Sequence, residues 1–423
     1  MAYRNLIALL VIILLSACFE ESDPLNGTIF LETVASIEKM EVEQGSIAAE
    51  QLLKAVEEIG TPLFVDDTTA IIVVRHAGDS LLLMGDMNLW KAEPVFTRLA
   101  ESELHYYSLT SETNARLQYW LQSEPDVWPS IDTLNPYRVS NGFGLMSELA
   151  MPGYKYSSIF APFRDGHKSS SDGLDEHILP AGILPYEHLI HVWKPSGVEA
   201  SEITGSIYFL DGLGYVAYAH MPTALASLIN SDEIPPLMAV FVTPPNWEKS
   251  GTPNRETEYG ISPEFVSFLA EELVPYIESR YPIGKGPETR LITGDSYGGL
   301  GAHYIGFNRP DVFGLAYSQS GYMSFKNDSL IGLYRESEKL ELKLALDCGT
   351  YETQVGGGML PTAENDFLAA NRRMAATLVE KGYEINYREY PEGHTWGNWR
   401  QHLVDVLPWF FGTGKPVTLA NEK

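Results

Sequence analysis

Cysteine is nearly absent from this chain, with two in 423 residues, Cys18 and Cys348. Two thiols so placed make no framework of bridges, so stability rests on an apolar core. Positive charge is scarce as well: 29 Lys and Arg stand against 56 Asp and Glu, a formal net charge of -27. That excess repels phosphate backbones, which argues against nucleic acid as a partner and requires a local basic pocket for any anionic ligand. No apolar run reaches the ~20 residues that span a bilayer. Internal repeats and low-complexity tracts are missing beyond the first segment. What is present is 44% hydrophobic and 20% charged residues, the balance of a folded protein, in a length that predicts two domains or one large one.

The N-terminus reads as an address. Arg4 precedes an apolar run from Leu6 to Leu15, which ends in Leu15-Ser16-Ala17-Cys18 before Glu20 and Glu21. The run is too short for a transmembrane helix and fits a signal peptide over 1–17. Its ending resembles the lipobox of bacterial lipoproteins. That resemblance implies cleavage before Cys18, acylation of its thiol and a lipid anchor in the membrane. With Phe19 and not Asp in the next position, it implies the outer membrane, facing the periplasm or the cell surface. Residues 18–27, acidic and ending in Pro24 and Gly27, predict a solvated tether.

Two bodies follow the tether. Over 28–155 a helical lead-in, clearest at Ser46–Ile59, gives way to short β-branched and aromatic runs at Ile71–Arg75, Ser80–Met84, His105–Leu109 and Arg116–Leu121. Their spacing predicts an immunoglobulin-like β-sandwich. Residues 164–177 read as a polar connector at the junction. Over 156–415 the rhythm becomes strand and helix in alternation, with strands at His188–Trp193, Ser206–Leu210, Leu237–Val242, Arg290–Thr293, Leu315–Ser318, Leu342–Leu346 and Ile385–Tyr390. One long helix is predicted over Pro263–Tyr281, where Phe265, Phe268, Leu269, Leu273 and Ile277 share a face. This is an α/β pattern with a mostly parallel central sheet, in which reactive groups stand at the carboxyl ends of strands.

The sharpest chemical signal is Gly294-Asp295-Ser296-Tyr297-Gly298, between the strand at Arg290–Thr293 and a helical stretch from Leu300. A serine at such a strand-to-helix turn is held exposed in a strained backbone, and the flanking glycines let the chain pass without a Cβ clash. A hydroxyl is nearly inert at neutral pH, so this nucleophile requires a base. Of His303, His394 and His402, only His394 lies in a loop after a strand, in Pro391-Glu392-Gly393-His394-Thr395-Trp396; His303 and His402 fall inside helices as packed or surface residues. An acid is expected after the penultimate strand. Glu352 has the favoured position, with Asp347 at the strand end and Asp366 at the next helix start as alternatives. The oxyanion donors are expected from the amides of Tyr297 and of Gly212 or Leu213, in Asp211-Gly212-Leu213-Gly214.

These residues together resemble the Putative esterase family of the α/β-hydrolases, in its enterochelin-esterase-like branch. The resemblance rests on Leu210-Asp211-Gly212, Asn254-Arg255-Glu256-Thr257-Glu258-Tyr259, the elbow at 294–298, and Gly393-His394-Thr395-Trp396 with Trp399-Arg400. Upstream, Gly85-Asp86-Met87-Asn88-Leu89-Trp90, Arg116-Leu117-Gln118-Tyr119 and Asp132-Thr133-Leu134-Asn135-Pro136 resemble the immunoglobulin-like N-terminal domain of those esterases. It implies a serine hydrolase without metal or cofactor, acting on a small-molecule ester such as a catecholate trilactone siderophore. Arg255 and Trp396 are the candidate substrate contacts, for an anionic catechol and a ring-bearing acyl group. Trp90, Trp120 and Trp128 are read as sandwich core and not as a sugar platform. Feruloyl or acetyl carbohydrate esterases and acyltransferases share the fold, and a glycan- or siderophore-binding lipoprotein is the non-enzymatic alternative.

Overall fold

The structure is a computed structural model that describes residues 24–124, 126–245, 255–356 and 360–412. The signal segment, Cys18 and Asn254 lie outside the described residues. Within the described residues no helix is long and apolar enough to cross a membrane. Contacts divide the chain into two compact units, 1–138 with 145–155 and 139–144 with 156–423.

The first unit opens with helices Gly27–Ile37 and Val42–Ile59. The Asn26 side chain caps the first by accepting from the Ile29 amide at 3.1 Å. Its strands are β1 Leu63–Phe64, β2 Thr69–Arg75, β3 Leu82–Gly85, β4 Thr97–Arg98, β5 Leu104–Thr110, β6 Arg116–Gln122 and β8 Gly144–Ala150, while β7 Arg138–Asn141 falls almost wholly in the second unit. One antiparallel sheet has the order β1-β2-β5-β4, and a second carries β3, β6 and β8 side by side. The helical spacing of Ala48, Ala49, Leu52, Leu53 and Val56 lays one face onto Ile71, Val73 and Leu104 of the first sheet. The lead-in is therefore a covering layer of that sheet. The segment at 85–90 is a self-satisfied corner. Asn88 Oδ1 accepts from the Gly85 amide at 2.8 Å, and Asp86 accepts from Trp90 Nε1 at 3.0 Å and from the Gln118 amide at 2.7 Å.

The second unit carries β9 Asp175–Leu179, β10 His188–Trp193, β11 Gly205–Leu210, β12 Leu237–Thr243, β13 Arg290–Asp295, β14 Leu315–Gln319, β15 Lys343–Gly349 and β16 Ile385–Tyr390. They form one sheet in the order β16-β15-β14-β13-β11-β12-β10-β9. Neighbours from β12 to β16 run parallel, while β9 and β10 are antiparallel. Every residue of β11, β12, β13 and β14 is buried, and β11 and β12 are accordingly almost wholly apolar. Apolar clusters fill both faces, and the carboxyl ends of β11, β13, β14, β15 and β16 share one edge.

Two expectations require correction. The connector predicted over 164–177 is in part β9, an edge strand whose polar residues Asp175, Glu176 and His177 pair through the backbone with β10. The helix predicted over Pro263–Tyr281 is interrupted: α-helical at Pro263–Ser267 and Val274–Arg280, it widens to a π turn at Phe268–Leu273. Pro275 lacks the N-H that would bond the Glu271 carbonyl, and its ring collides with that carbonyl in a regular helix, so the preceding turn opens.

Candidate active site

Ser296 joins β13 to helix Tyr297–Asn308 with φ 55° and ψ -116°, a conformation that disfavours any side chain. Its amide donates to the Gln319 carbonyl at 2.9 Å, and its carbonyl accepts from the amides of Tyr322 at 3.0 Å and Leu300 at 3.1 Å. Glycine is required beside it, since a Cβ on Gly294 would lie 2.6 Å from the Gly298 backbone. Gln319 is itself fixed: Tyr215 Oη donates to Oε1 at 2.8 Å, and Nε2 donates to the Trp399 carbonyl at 2.7 Å. The turn is clamped from both sides of β14.

His394 occupies the loop between β16 and helix Trp396–Phe411, where Asn398 Nδ2 donates to the Gly393 carbonyl. Its ring stands edge-on between Phe367, 5.2 Å away, and Trp399, 5.0 Å away. His394 Nδ1 is 2.6 Å from Glu352 Oε2. The other oxygen of Glu352 accepts from Ser320 Oγ at 2.6 Å and from the Gly349 amide at 2.8 Å, and Trp399 Nε1 donates to that same Ser320 Oγ at 3.0 Å. With Nδ1-H given to a buried carboxylate, Nε2 is the nitrogen left to accept a proton. The rival acids have other partners. Asp347 accepts from Tyr317 Oη and from the Ser320 amide, and Asp366 caps helix Phe367–Glu380 by accepting from the Ala369 amide at 2.9 Å.

Tyr297 is the first residue of its helix, where an amide has no intrahelical acceptor. Across the edge, Asp211 in the left-handed region starts the helix Gly212–Ala217. The Leu213 amide is 3.3 Å from Thr243 Oγ1, whereas Gly212 N-H has no acceptor among the described residues. A Cβ on Gly212 would lie 2.5 Å from the Phe241 backbone, so only glycine brings the chain this close.

Arg255 ties two aspartates together. Nε donates to both oxygens of Asp211, at 2.8 and 2.7 Å, and a terminal nitrogen donates to the carbonyl of Asp295 at 2.7 Å and its Oδ2 at 3.1 Å. Burial pushes both carboxyls upward, against the pull of the guanidinium. Each aspartate stands just before a segment expected to supply an oxyanion donor, Asp211 before Gly212 and Asp295 before Ser296-Tyr297. Trp396 is 7% exposed and packs edge-on against Tyr215 and Trp399, so it belongs to the core beneath the site and does not line its mouth. In the first unit Trp120 is core, but Trp128 is 75% exposed, which corrects the reading of all three tryptophans as interior.

Ser320 and Gln319 escape sequence reasoning, and for Trp399, Asp211 and Asp295 the sequence singles out the motif but not the bonds. Their partners lie tens of residues away, and the only local sign is an aspartate in each of Asp211-Gly212-Leu213 and Gly294-Asp295-Ser296.

A parallel sheet whose carboxyl edge carries a serine at a strained strand-to-helix turn, and a histidine held by a buried glutamate, defines an α/β-hydrolase. The chain belongs to the Putative esterase family, whose model matches residues 184–410. It is similar to the iron(III) enterobactin esterase of Dickeya dadantii strain 3937, 26% identical over 50% of this chain and 49% of that protein. It is also similar to the iron(III) enterobactin esterase of Escherichia coli O6:H1, 24% identical over 65% of this chain and 66% of that protein. The chain thus spans between half and two-thirds of the length of the curated relatives it matches. Among solved structures, the enterobactin esterase of Shigella flexneri aligns over 83% of this chain and 96% of that one, at 19% identity and a TM-score of 0.65. The ferric enterobactin esterase of Salmonella typhimurium aligns over 81% and 93%, at 19% identity and a TM-score of 0.67. At that identity the likeness is one of fold.

Proposed function

We propose that this protein is a serine esterase that opens carboxylic esters through an acyl-enzyme, with catecholate trilactones of the siderophore type as its substrate class. The observation that carries the reading is the His394-Glu352 pair, closed at 2.6 Å on the sheet edge that also carries the Ser296 turn. In this mechanism Ser296 Oγ attacks the ester carbonyl while His394 Nε2 takes its proton. Glu352 holds the tautomer and the imidazolium that forms. The amides of Tyr297 and Gly212 receive the developing oxyanion, each contributing about 2.7–4 kcal/mol. His394 then returns the proton to the leaving alcohol, and water repeats the sequence on the acyl group. The substrate class rests on the relatives, which are enterobactin esterases by description.

The test is turnover of p-nitrophenyl esters, followed by ferric and iron-free catecholate trilactones against feruloyl and acetyl sugar esters. Ser296→Ala should abolish turnover of all of them, and an unchanged rate removes Ser296 from the mechanism. A trilactone processed no faster than the sugar esters removes the siderophore reading. For the N-terminus we propose a lipid anchor at Cys18 in the bacterial outer membrane. Cys18→Ser should move the protein from the membrane to the soluble fraction.

A further inference from the structure

His402 takes no part in the chemistry above. It lies in helix Trp396–Phe411 with its side chain 2% exposed, stacked on Tyr390 at 3.5 Å and 15°. Nε2 is 3.0 Å from Glu392 Oε1, and Nδ1 is 3.4 Å from Asp347 Oδ2. Both carboxylates are buried, and a ring hydrogen-bonded to one carboxylate and at ion-pair distance from a second is favoured as imidazolium. Neither carboxylate is remote from the reacting groups. Glu392 precedes His394 by two residues, and its carbonyl accepts from the Tyr351 amide at 3.2 Å, beside Glu352. Asp347 accepts from the Ser320 amide, and Ser320 Oγ donates to Glu352.

We propose that His402 is a positioning residue, a standing imidazolium that sits between Glu392 and Asp347 and offsets part of their charge behind the Glu352-His394 pair. Burial alone pushes this imidazole down, but Glu392 and Asp347 outweigh it and bring it up to about 10. Two histidines of one site therefore have different tasks: His402 holds a standing charge, and His394 moves the serine proton. The other charged and titratable groups around His402 are Asp405 on its own helix, Arg388 and Tyr390 on β16, and Tyr317 on β14 through Asp347.

The inference rests on Ser296 and His394 as the reacting pair, which Ser296→Ala tests separately. The experiment is the pH dependence of kcat/KM on a neutral p-nitrophenyl ester. In His402→Gln the buried acids lose their counter-charge, so the imidazolium of His394 is favoured and the acid limb moves to higher pH, by about 0.5–1 unit. Glu392→Gln removes one negative charge from the cluster and moves the limb down. The double variant restores the charge balance and returns the limb towards its original position, even where kcat stays low. Limbs that stay in place while only Tm falls mean that His402 merely packs, and overturn the proposal. A double variant that keeps the displacement of the single one does the same. Where His402→Gln alone fails to fold, the downward shift in Glu392→Gln and its cancellation in the double variant decide.

Discussion

One guanidinium holds two of the loops on which the proposed chemistry depends. Arg255 bonds both oxygens of Asp211 and two oxygens of Asp295, so the residues ahead of both oxyanion segments are tied to a single planar group. Lysine offers a point charge without that fork. We expect Arg255→Lys to lower kcat by ~10–100-fold with KM little changed, the loss of one to two charge-assisted hydrogen bonds. The loss should be equal for neutral and anionic esters. Steady-state kinetics on a charged and an uncharged ester check it, and a rise in KM confined to the anionic ester would return Arg255 to substrate binding. The same residue shows what sequence conveys and what it does not. Its motif singles it out, but a cation in an acidic chain reads as a ligand-binding group until the coordinates reveal two buried carboxylates.

At the scale of elements, the inner strands β11 and β12 were legible because burial on both faces leaves a nearly unbroken apolar run, while β10 and β16 stood out by their bounding turn residues. The predicted strands at His188–Trp193 and Ile385–Tyr390 agree with the structure to the residue. The misses have common physics. β9 is polar because an edge strand is solvated on one side, and the π turn at Phe268–Leu273 follows from a proline that periodicity does not register. The choice among Glu352, Asp347 and Asp366 was open because Asp347 lies near the end of β15 and the other two follow it, and only side-chain partners separate them. Strand β6 carries a further element-scale feature, since Arg116 is 1% exposed and pairs with the fully buried Glu148 of β8. Removing one partner of such a pair strands a buried charge at a cost of about 3–5 kcal/mol, whereas replacing both by apolar residues is close to neutral. Arg116→Met should therefore destabilise the first unit strongly, and Arg116→Met with Glu148→Leu should recover most of the loss in denaturant melts.

The whole molecule should be stable over a window closed on each side by buried imidazoles. Burial holds His220 down to about 3 and His303 down to about 4, from 6.5 in the unfolded chain. Both are neutral above pH 6.5, and as pH falls below it the unfolded state gains protons that the native state refuses, so stability is lost towards pH 3–4. His402 acts with opposite sign. Raised to about 10, it contributes fully below 6.5, and that contribution disappears as pH rises through 10. Thermal melts across this range should give a dome, and His402→Gln should flatten its alkaline side while leaving the acid side in place. The backbone at Ser296 leads to a last expectation. A φ of 55° with ψ of -116° costs a residue bearing a Cβ about 1–3 kcal/mol, and glycine is exempt. Ser296→Gly should then melt above Ser296→Ala, although both are inert. Activity and durability pull apart at a single atom, so selection for heat resistance alone would drift towards a sturdier protein that has stopped turning over ester.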